Sequence, residues 1–340
     1  MTYHEKPEIA IVGAGAVGSL LGGLLAHAGH RVTLIGRSEH IRAIKKEGLH
    51  INGASGSFTV ECPAAESLMS PPDIIILAVK MQDLESACRT IAPLVKNVPV
   101  MTLQNGIGSD ALAGSILGKE KIVGGVVLFN AQYSTPGHVT HGSEGALMVG
   151  NVPGADEKHL QTVSELLDGI VPVRVSDNFA GIRWTKLFIN LIGNSFDALT
   201  GIPLGTCMQS RGVSKAAVYV LREAYTITQK TGVTLGSLPG IPAAAFTSVI
   251  AMPVPVASRS LRQITKKFTT VSSTLQSLRR GKPTEIDYLN GEIVRFGKKL
   301  NIPTPCNTKV VELIKEIEKT ETFYSIPQVE KILNDCVKSG

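Results

Sequence analysis

Apolar and polar residues follow two different patterns along this chain of 340 residues. In the first half, short β-branched and apolar runs alternate with helical stretches, which is typical of a parallel α/β sheet. Strands are predicted at residues 8–12, 31–35, 73–79, 98–103, 122–128 and 171–175, and helices at 16–28 and 157–167. Turn-rich alternation between residues 138 and 150 predicts added antiparallel strands.

From residue 179 the apolar period becomes helical. Helices are predicted at 179–199, 212–231, 257–280, 284–299 and 306–319, with a long loop broken by a short helix at 236–255. The length exceeds what one hydrophobic core usually serves. We therefore predict an α/β fold, in which an N-terminal Rossmann-type doubly wound sheet at residues 1–176 precedes a mostly α-helical C-terminal domain at residues 177–340.

Composition excludes several classes of protein. Apolar residues make up 43% and charged residues 18% of the chain, an ordinary soluble balance. The longest apolar run, at residues 74–79, is far shorter than the ~20 residues of a bilayer-spanning helix, and the amino terminus lacks an apolar signal core. The five cysteines are scattered without a C-x-x-C pair, which argues against a disulfide framework and a zinc site. We expect a cytoplasmic protein without a membrane or metal partner.

Charge is distributed unevenly. Residues 1–175 hold 13 basic and 16 acidic residues, a net −3, whereas residues 176–340 hold 21 and 12, a net +9. Because aromatic residues are only 5% and no arginine-rich run occurs, the positive half favours a small anion over nucleic acid as its partner. The alternative is that these charges merely form a solvated surface. All eight histidines precede residue 160, so a proton donor in the second half must be Lys, Tyr or a carboxylic acid.

A glycine-rich turn follows the first predicted strand and opens the first helix. It has the pattern G-x-G-x-x-G, in the order Gly13, Ala14, Gly15, Ala16, Val17 and Gly18. The three glycines allow the tight turn, the approach of a pyrophosphate to the backbone and close packing of helix on strand. Between two predicted strands, this turn predicts a dinucleotide site.

Three further residues follow predicted strands at the edge where ligands of such sheets bind. The second strand ends at Arg37 and Ser38 rather than at an acidic residue, so the predicted cofactor is NADP(H). A solvated Arg37 paired with Glu39 is the alternative. Lys80 and Asn105 follow later strands and could bind a phosphate, ribose or carboxylate, although Asn105 could equally form a simple Asn-Gly turn.

A polar stripe crosses an otherwise apolar helix in the second half. Lys186, Asn190 and Asn194 stand at i, i+4 and i+8, and therefore share one face. Trp184, Leu187, Phe188 and Leu191 cover the other faces. The stripe predicts a polar ligand, and a lysine that snorkels to the surface is the alternative.

The chain resembles the ketopantoate reductase family, also called 2-dehydropantoate 2-reductases, over nearly its whole length. The resemblance is carried by the glycine turn, Val79-Lys80, Gln104-Asn-Gly-x-Gly108, Pro136-Gly-x-Val-x-His141, Trp184-x-Lys-Leu-x-x-Asn190-x-x-x-Asn194, and Ser272-Ser-x-x-Gln followed by Thr284-Glu-Ile-Asp287. It implies NADPH-dependent reduction of a 2-oxo acid to (R)-pantoate, for pantothenate and coenzyme A, with substrate in the cleft between the domains. The oligomeric state stays open, a homodimer included.

The resemblance also implies roles for individual residues. Lys186 resembles the proton donor, Asn190 and Asn194 the amides that orient substrate, and Ser273 the hydroxyl that holds the substrate carboxylate. Glu285 resembles a carboxylate that engages the ligands and tunes the lysine; from spacing alone, Glu285 and Asp287 could be mere helix caps. The resemblance also implies that the remaining cofactor or cleft residues are Arg37, Lys80, Asn105 and Ala131. Of these, Asn105 also binds substrate.

Two positions depart from the family pattern. Ser277 stands where the family often has Asp, and Leu204 stands where some members carry a polar residue. These departures bear on the substrate more than on the reaction. A dehydrogenase for another branched or aromatic 2-oxo acid, and a non-catalytic protein that senses NADP, are the alternatives.

Overall fold

The computed structural model describes residues 6–338, and the chain divides into two units between Phe179 and Ala180. The described strands of the first unit are β1 Glu8–Val12, β2 Arg31–Ile35, β3 Leu49–Gly53, β4 Phe58–Val60, β5 Ala64–Ala65, β6 Ile74–Leu77, β7 Val100–Thr102, β8 Ile122–Val127, β9 Asn130–Thr135, β10 His138–Ser143, β11 Leu147–Asn151 and β12 Val173–Val175. Its helices are α1 Ala16–His27, α2 Ser38–Glu47, α3 Met81–Ile91, α4 Ser109–Leu117 and α5 Glu157–Leu167.

The large sheet has eight strands in the order β12-β11-β8-β7-β6-β1-β2-β5. The strands from β5 to β8 pair in parallel, whereas β11 is antiparallel to β8 and β12 is parallel to β11. Strand β6 is buried along its whole length, as parallel strands covered on both faces must be. The predicted doubly wound, Rossmann-type sheet is confirmed.

A second sheet, of order β4-β3-β10-β9, was not predicted from the sequence. The expectation of antiparallel strands between residues 138 and 150 holds in part: β10 pairs antiparallel with β9 in the small sheet, and β11 joins the large one. Helix α1 lies between the two sheets. A Cβ added at Gly22 would strike Leu34 of β2 in the large sheet, and a Cβ added at Gly23 would strike Ile51 of β3 in the small sheet. A helix that is apolar all round is thereby buried on both sides.

The second unit is helical. Its helices are α6 Phe179–Gly193, α7 Phe196–Thr200, α8 Leu204–Cys207, α9 Arg211–Thr231, α10 Ala243–Ala251, α11 Val254–Thr265, α12 Ser273–Leu278, α13 Asn290–Leu300, α14 Pro305–Thr320 and α15 Ile326–Lys338. The long helix α9 packs against α10, α11, α13, α14 and α15 and forms the centre of the unit. Among the described residues, no helix is long and apolar enough to cross a membrane.

Three predicted helices are wrong in extent, for local reasons. The segment 257–280 is two helices, because the chain leaves α11 to bond Gly205, whose amide donates to the carbonyl of Phe268 at 2.9 Å. Ser272 then starts a new helix by accepting from the amide of Leu275. The segment 179–199 breaks after Gly193, and 284–299 opens with a single 3-10 turn. Helices α8 and α15 of this unit were not predicted from the sequence.

Candidate active site

The carboxyl ends of four adjacent parallel strands, β7, β6, β1 and β2, form one edge of the large sheet. The amide of Gly13 donates to the carbonyl of Ile35 at 2.9 Å, and that of Ala78 to Val12 at 2.8 Å. Gln104 donates from Nε2 to the carbonyls of Leu77 and Val79, at 2.8 and 3.1 Å. These bonds fasten the loops after all four strands together, at the edge where dinucleotides bind such sheets.

The glycine-rich turn at residues 13–18 has the shape of a phosphate cradle. Gly13 adopts a φ of +110°, and a Cβ there would meet the backbone of Val79. A Cβ on Gly18 would strike the carbonyl of Gly13. At Gly15, by contrast, a Cβ would meet nothing within 4 Å. The space above Gly15 and the amides of the first turn of α1 therefore fit the pyrophosphate of a dinucleotide.

The end of β2 carries Arg37, the N-terminal cap of α2. Its side chain is 85% exposed, and its guanidinium lies 3.9 Å from the carboxylate of Asp83 rather than beside Glu39. The hydroxyl of Ser38 donates to the carboxylate of Glu66. The pair with Asp83 is long and solvated, so it holds Arg37 only weakly. An exposed guanidinium at this tip has the charge and the donors that a 2′-phosphate requires.

Three further predicted residues lie in the first unit. Lys80 is partly buried at the start of α3, directly after β6, and its carbonyl accepts from the amide of Asp83 at 3.0 Å. Asn105 is partly buried in the loop after β7, followed by Gly106 at a φ of +89°. Both lie on the edge formed by β6 and β7. Ala131 lies in the small sheet, on β9 opposite His141.

Helix α6 carries the predicted polar stripe. Asn190 is 5% and Asn194 is 9% exposed, and Lys186 is partly buried. The other faces are packed: the ring of Trp184 lies 5.6 Å from that of Phe296, and the ring of Phe188 lies 5.9 Å from that of Phe246. Snorkelling to open solvent does not describe this lysine.

The ammonium of Lys186 makes no hydrogen bond or ion pair to the residues that the structure describes. Burial lowers the pKa of Lys186 from its ordinary value of 10.5 to about 8, because the charged form loses hydration. A cation with a pKa near neutrality is suited to give up a proton in a reaction.

Buried polar groups fix the carboxyl end of α6. Asn290 is fully buried; it accepts from the hydroxyl of Ser195 at 2.6 Å and donates to the carbonyl of Leu191 at 3.4 Å and to Asn307 at 2.9 Å. Asn307 in turn donates to the carboxylate of Glu223 at 2.7 Å. A fully bonded network of this kind holds the backbone that carries Asn190 and Asn194.

The predicted Ser272 and Ser273 begin α12. Ser272 is the N-terminal cap, and Ser273, the first helical residue, is exposed. The carboxylate of Asp197 on α7 accepts from both the amide and the hydroxyl of Ser272, at 2.7 and 2.8 Å. These bonds bring the segment of Ser273 against Asp197 of α7, which lies three residues beyond Asn194.

Glu285 is partly buried at the start of a 3-10 turn. Its neighbours on both sides are bonded to α14: Thr284 donates to Glu318 from its amide and its hydroxyl, and Asp287 pairs with Lys315 at 2.6 Å. Asp287 is thus engaged in a structural ion pair. Glu285 sits in a segment that α14 holds from both sides.

Asp197 is a residue of this unit that was not predicted from the sequence. Asp197 is fully buried in α7, where its sequence neighbours are also buried. A lone carboxylate in the run Phe196–Thr200 was the available signal, since a buried carboxylate requires partners. Ser277, which departs from the family pattern, donates to the carbonyl of Ser273 at 3.0 Å. Leu204, the other departure, is buried in α8.

Known proteins resemble the chain along almost its entire length. The family profile described as Ketopantoate reductase PanE/ApbA matches residues 9–154, and its C-terminal counterpart matches residues 178–318. The curated 2-dehydropantoate 2-reductase of Pyrococcus horikoshii is 31% identical over 313 residues, which cover 92% of this chain and 97% of that protein.

Solved structures show the same architecture. A PanE/ApbA family ketopantoate reductase from Ralstonia eutropha JMP134 matches with a TM-score of 0.80 and 32% identity, over 92% of this chain and 99% of that one. A D-mandelate dehydrogenase, solved with NADH and anilino(oxo)acetate, matches with a TM-score of 0.81 and 26% identity over the same shares. The chain belongs to the ketopantoate reductase family and is a nicotinamide-dependent oxidoreductase of that kind.

Proposed function

We propose that the protein reduces 2-dehydropantoate to (R)-pantoate with NADPH, as a cytoplasmic step toward pantothenate and coenzyme A. The observation that carries this proposal is the stripe on α6, where a half-buried lysine with a lowered pKa is aligned with two buried amides. The similarity to curated 2-dehydropantoate 2-reductases supports the choice of substrate.

Lys186 acts as the proton donor. Bound NADPH would supply a hydride to the keto carbon of the substrate, and the oxygen of that carbon would then need a proton. Because the pKa of Lys186 is about 8, its ammonium is largely charged at neutral pH, so it stabilises the developing negative charge and then gives up the proton. No histidine is needed in the second unit.

Polar groups orient the substrate. Asn190 and Asn194 offer amide donors and acceptors one helical turn apart on the same face as Lys186. The hydroxyl of Ser273 binds the substrate carboxylate, and Asn105 binds a polar group of the substrate or cofactor. Glu285 engages both ligands and raises the proton affinity of Lys186 when the site is filled, since an opposite charge favours the ammonium.

NADPH is the preferred cofactor. Gly13, Gly15 and Gly18 hold the pyrophosphate, with Ala14, Ala16 and Val17 completing the turn; Lys80, Asn105 and Ala131 line the rest of the cofactor path. Arg37 binds the 2′-phosphate by exchanging its weak pair with Asp83 for a charged hydrogen bond. We expect the Arg37→Ala variant to weaken NADPH binding by roughly tenfold while leaving NADH binding unchanged.

The test is a substrate panel run with both cofactors. Purified protein should consume NADPH with 2-dehydropantoate faster than with phenylglyoxylate or other 2-oxo acids, and NADH should be less effective than NADPH. Equal affinities for the two cofactors would contradict the role of Arg37. Turnover of other 2-oxo acids without 2-dehydropantoate would contradict the substrate.

A second candidate function is a dehydrogenase for an aromatic 2-oxo acid. It is favoured by the similarity to D-mandelate dehydrogenase, whose solved structure contains NADH and anilino(oxo)acetate. In this case phenylglyoxylate with NADH would be the best pair of the same panel. The proton donor and the oxo-acid contacts would stay as proposed.

A further inference from the structure

Asp197 is a fully buried carboxylate in the second unit. One of its oxygens accepts the amide of Ser272 at 2.7 Å, and the other accepts the hydroxyl of Ser272 at 2.8 Å. Burial of a carboxylate is costly unless hydrogen bonds offset it. Each oxygen accepts a bond from Ser272, and the carboxylate also accepts the amide of Ala198 within α7, so Ser272 is the partner that it fixes outside its own helix.

Fixing Ser272 also fixes the first turn of α12. The hydroxyl of Ser272 donates to Asp197, which leaves its lone pairs to accept the amide of Leu275 at 3.2 Å. The carbonyl of Ser273 is held as well, since it accepts from Ser277 at 3.0 Å. The backbone on both sides of Ser273 is therefore immobilised, while the side chain of Ser273 remains exposed.

We propose that Asp197 is a positioning residue, which holds the hydroxyl of Ser273 in the orientation that binds the carboxylate of the 2-oxo acid. This proposal rests on the proposed function, because Ser273 is taken there as the group that binds this carboxylate. Asp197 itself acts only through Ser272, and a carboxylate so deeply buried does not touch the anionic substrate.

The surroundings of Asp197 make its effect depend on pH. Burial raises the pKa of Asp197 to about 6, although its bonds to Ser272 and the charge of Arg279 oppose this rise. The titratable or charged groups that face it are Arg279, at the end of α12, and the thiol of Cys207 on α8. In mild acid Asp197 takes up a proton, and one of its two acceptor atoms becomes a donor.

The experiment compares the Asp197→Asn variant with a matched control on the same helix. Asn has the same shape, but its NH2 group replaces one of the two carboxylate oxygens, so one of the two bonds from Ser272 loses its acceptor. The control is Thr200→Val, which removes a buried hydroxyl of α7 that bonds the carbonyl of Phe196 and the thiol of Cys207 rather than Ser272. Substrate affinity, turnover and melting temperature are measured for each protein at saturating NADPH.

We expect Asp197→Asn to raise the KM for the 2-oxo acid about tenfold, with kcat changed less than about threefold and with unchanged NADPH affinity. In the Ser273→Ala background the Asp197 change should add almost nothing, since both act through one hydroxyl. The wild-type KM should rise as the pH falls through about 6, and the variant should lack this rise.

Two outcomes would overturn the proposal. The first is a lower melting temperature for Asp197→Asn with an unaltered KM, which would indicate a merely structural role; the second is full additivity with Ser273→Ala. If the wild type reduces no 2-oxo acid, the proposed function fails. Amide hydrogen exchange then tests by itself whether Asp197 holds Ser272 in place. The amide of Ser272 should then exchange about tenfold faster in Asp197→Asn but not in Thr200→Val, and equal exchange contradicts the proposal.

Discussion

Single side chains in this protein owe their properties to what surrounds them more than to their type. Lys186 illustrates this, since its neighbours on α6 are fully buried residues such as Leu187 and Phe188. The helix leaves the ammonium with little water, and its pKa falls to about 8. A surface lysine keeps its proton through the physiological range and would be a poor acid.

Replacing Lys186 by Met should lower kcat/KM for oxo-acid reduction roughly 100- to 10,000-fold, because the alkoxide loses its proton donor. In the wild type, the rate of reduction should fall as the pH rises above about 8, where the ammonium is lost. Initial rates across a pH series measure both effects. The exposed Lys230→Met variant is the control, and an unchanged rate for Lys186→Met would refute the assignment.

His40 shows the same influence of burial in the first unit. It is 3% exposed; its Nδ1 accepts the amide of Gly137 at 2.9 Å, and its Nε2 lies 2.9 Å from the hydroxyl of Ser19. Because Nδ1 accepts, the ring is neutral, with its proton on Nε2. The ring joins α2 to α1 and to the turn before β10, so it braces the helix that carries the cradle.

His40 should make the protein less stable in mild acid. Burial lowers its pKa from 6.5 to about 4, so below pH 6.5 the unfolded chain binds a proton that the folded protein does not. The loss grows as the pH falls to about 4 and reaches about 3 kcal/mol. Urea unfolding across this range measures the loss, which should shrink in His40→Gln but persist in a His27→Gln control. Equal slopes in all three proteins would argue against it.

Among the elements, the glycine turn between β1 and α1 contains one glycine whose replacement should affect cofactor binding and another whose replacement should affect folding. Gly15→Ala should leave the melting temperature almost unchanged, since its φ of −90° suits any residue and its Cβ meets nothing within 4 Å. The same methyl would occupy the space proposed for the pyrophosphate, so NADPH affinity should fall at least about tenfold.

Gly13→Ala is the matched comparison for that variant. The strain of a positive φ and the contact with the backbone of Val79 should cost at least about 2 kcal/mol of folding free energy. Thermal unfolding and fluorescence titration with NADPH test the pair. Tight NADPH binding by Gly15→Ala would contradict the placement of the pyrophosphate.

The elements that the sequence predicted are those whose pattern is local. Strand β1, helix α1 and helix α5 follow from runs of apolar residues and their spacing. The small sheet could not be predicted in this way, because β3 pairs in parallel with β10, almost ninety residues later in the chain. The break between α11 and α12 likewise depends on Gly205 and Asp197, which lie far from it in sequence.

At the scale of the whole molecule, the site residues divide into two sets. The glycine turn, Arg37 and Lys80 were predicted from the order of strands, and Lys186 and its stripe from helical spacing. Asp197 and the network around Asn290 were not, because their importance comes from partners in other helices. Patterns along the chain thus identify candidate ligand-binding residues better than they identify the residues that position those candidates.

The uneven charge gives the last prediction. Residues 176–340 carry a net +9. The residues of α6 and α12 that are proposed to bind the oxo acid belong to this half. Such a field raises the encounter rate of an anion and is screened by salt. At saturating NADPH, kcat/KM for the 2-oxo acid should fall several-fold between roughly 20 and roughly 300 mM KCl, with little change in kcat. The uncharged methyl ester of the same acid is the control and should show no such fall. A flat salt profile for the acid would mean that the positive half of the chain does not attract the substrate.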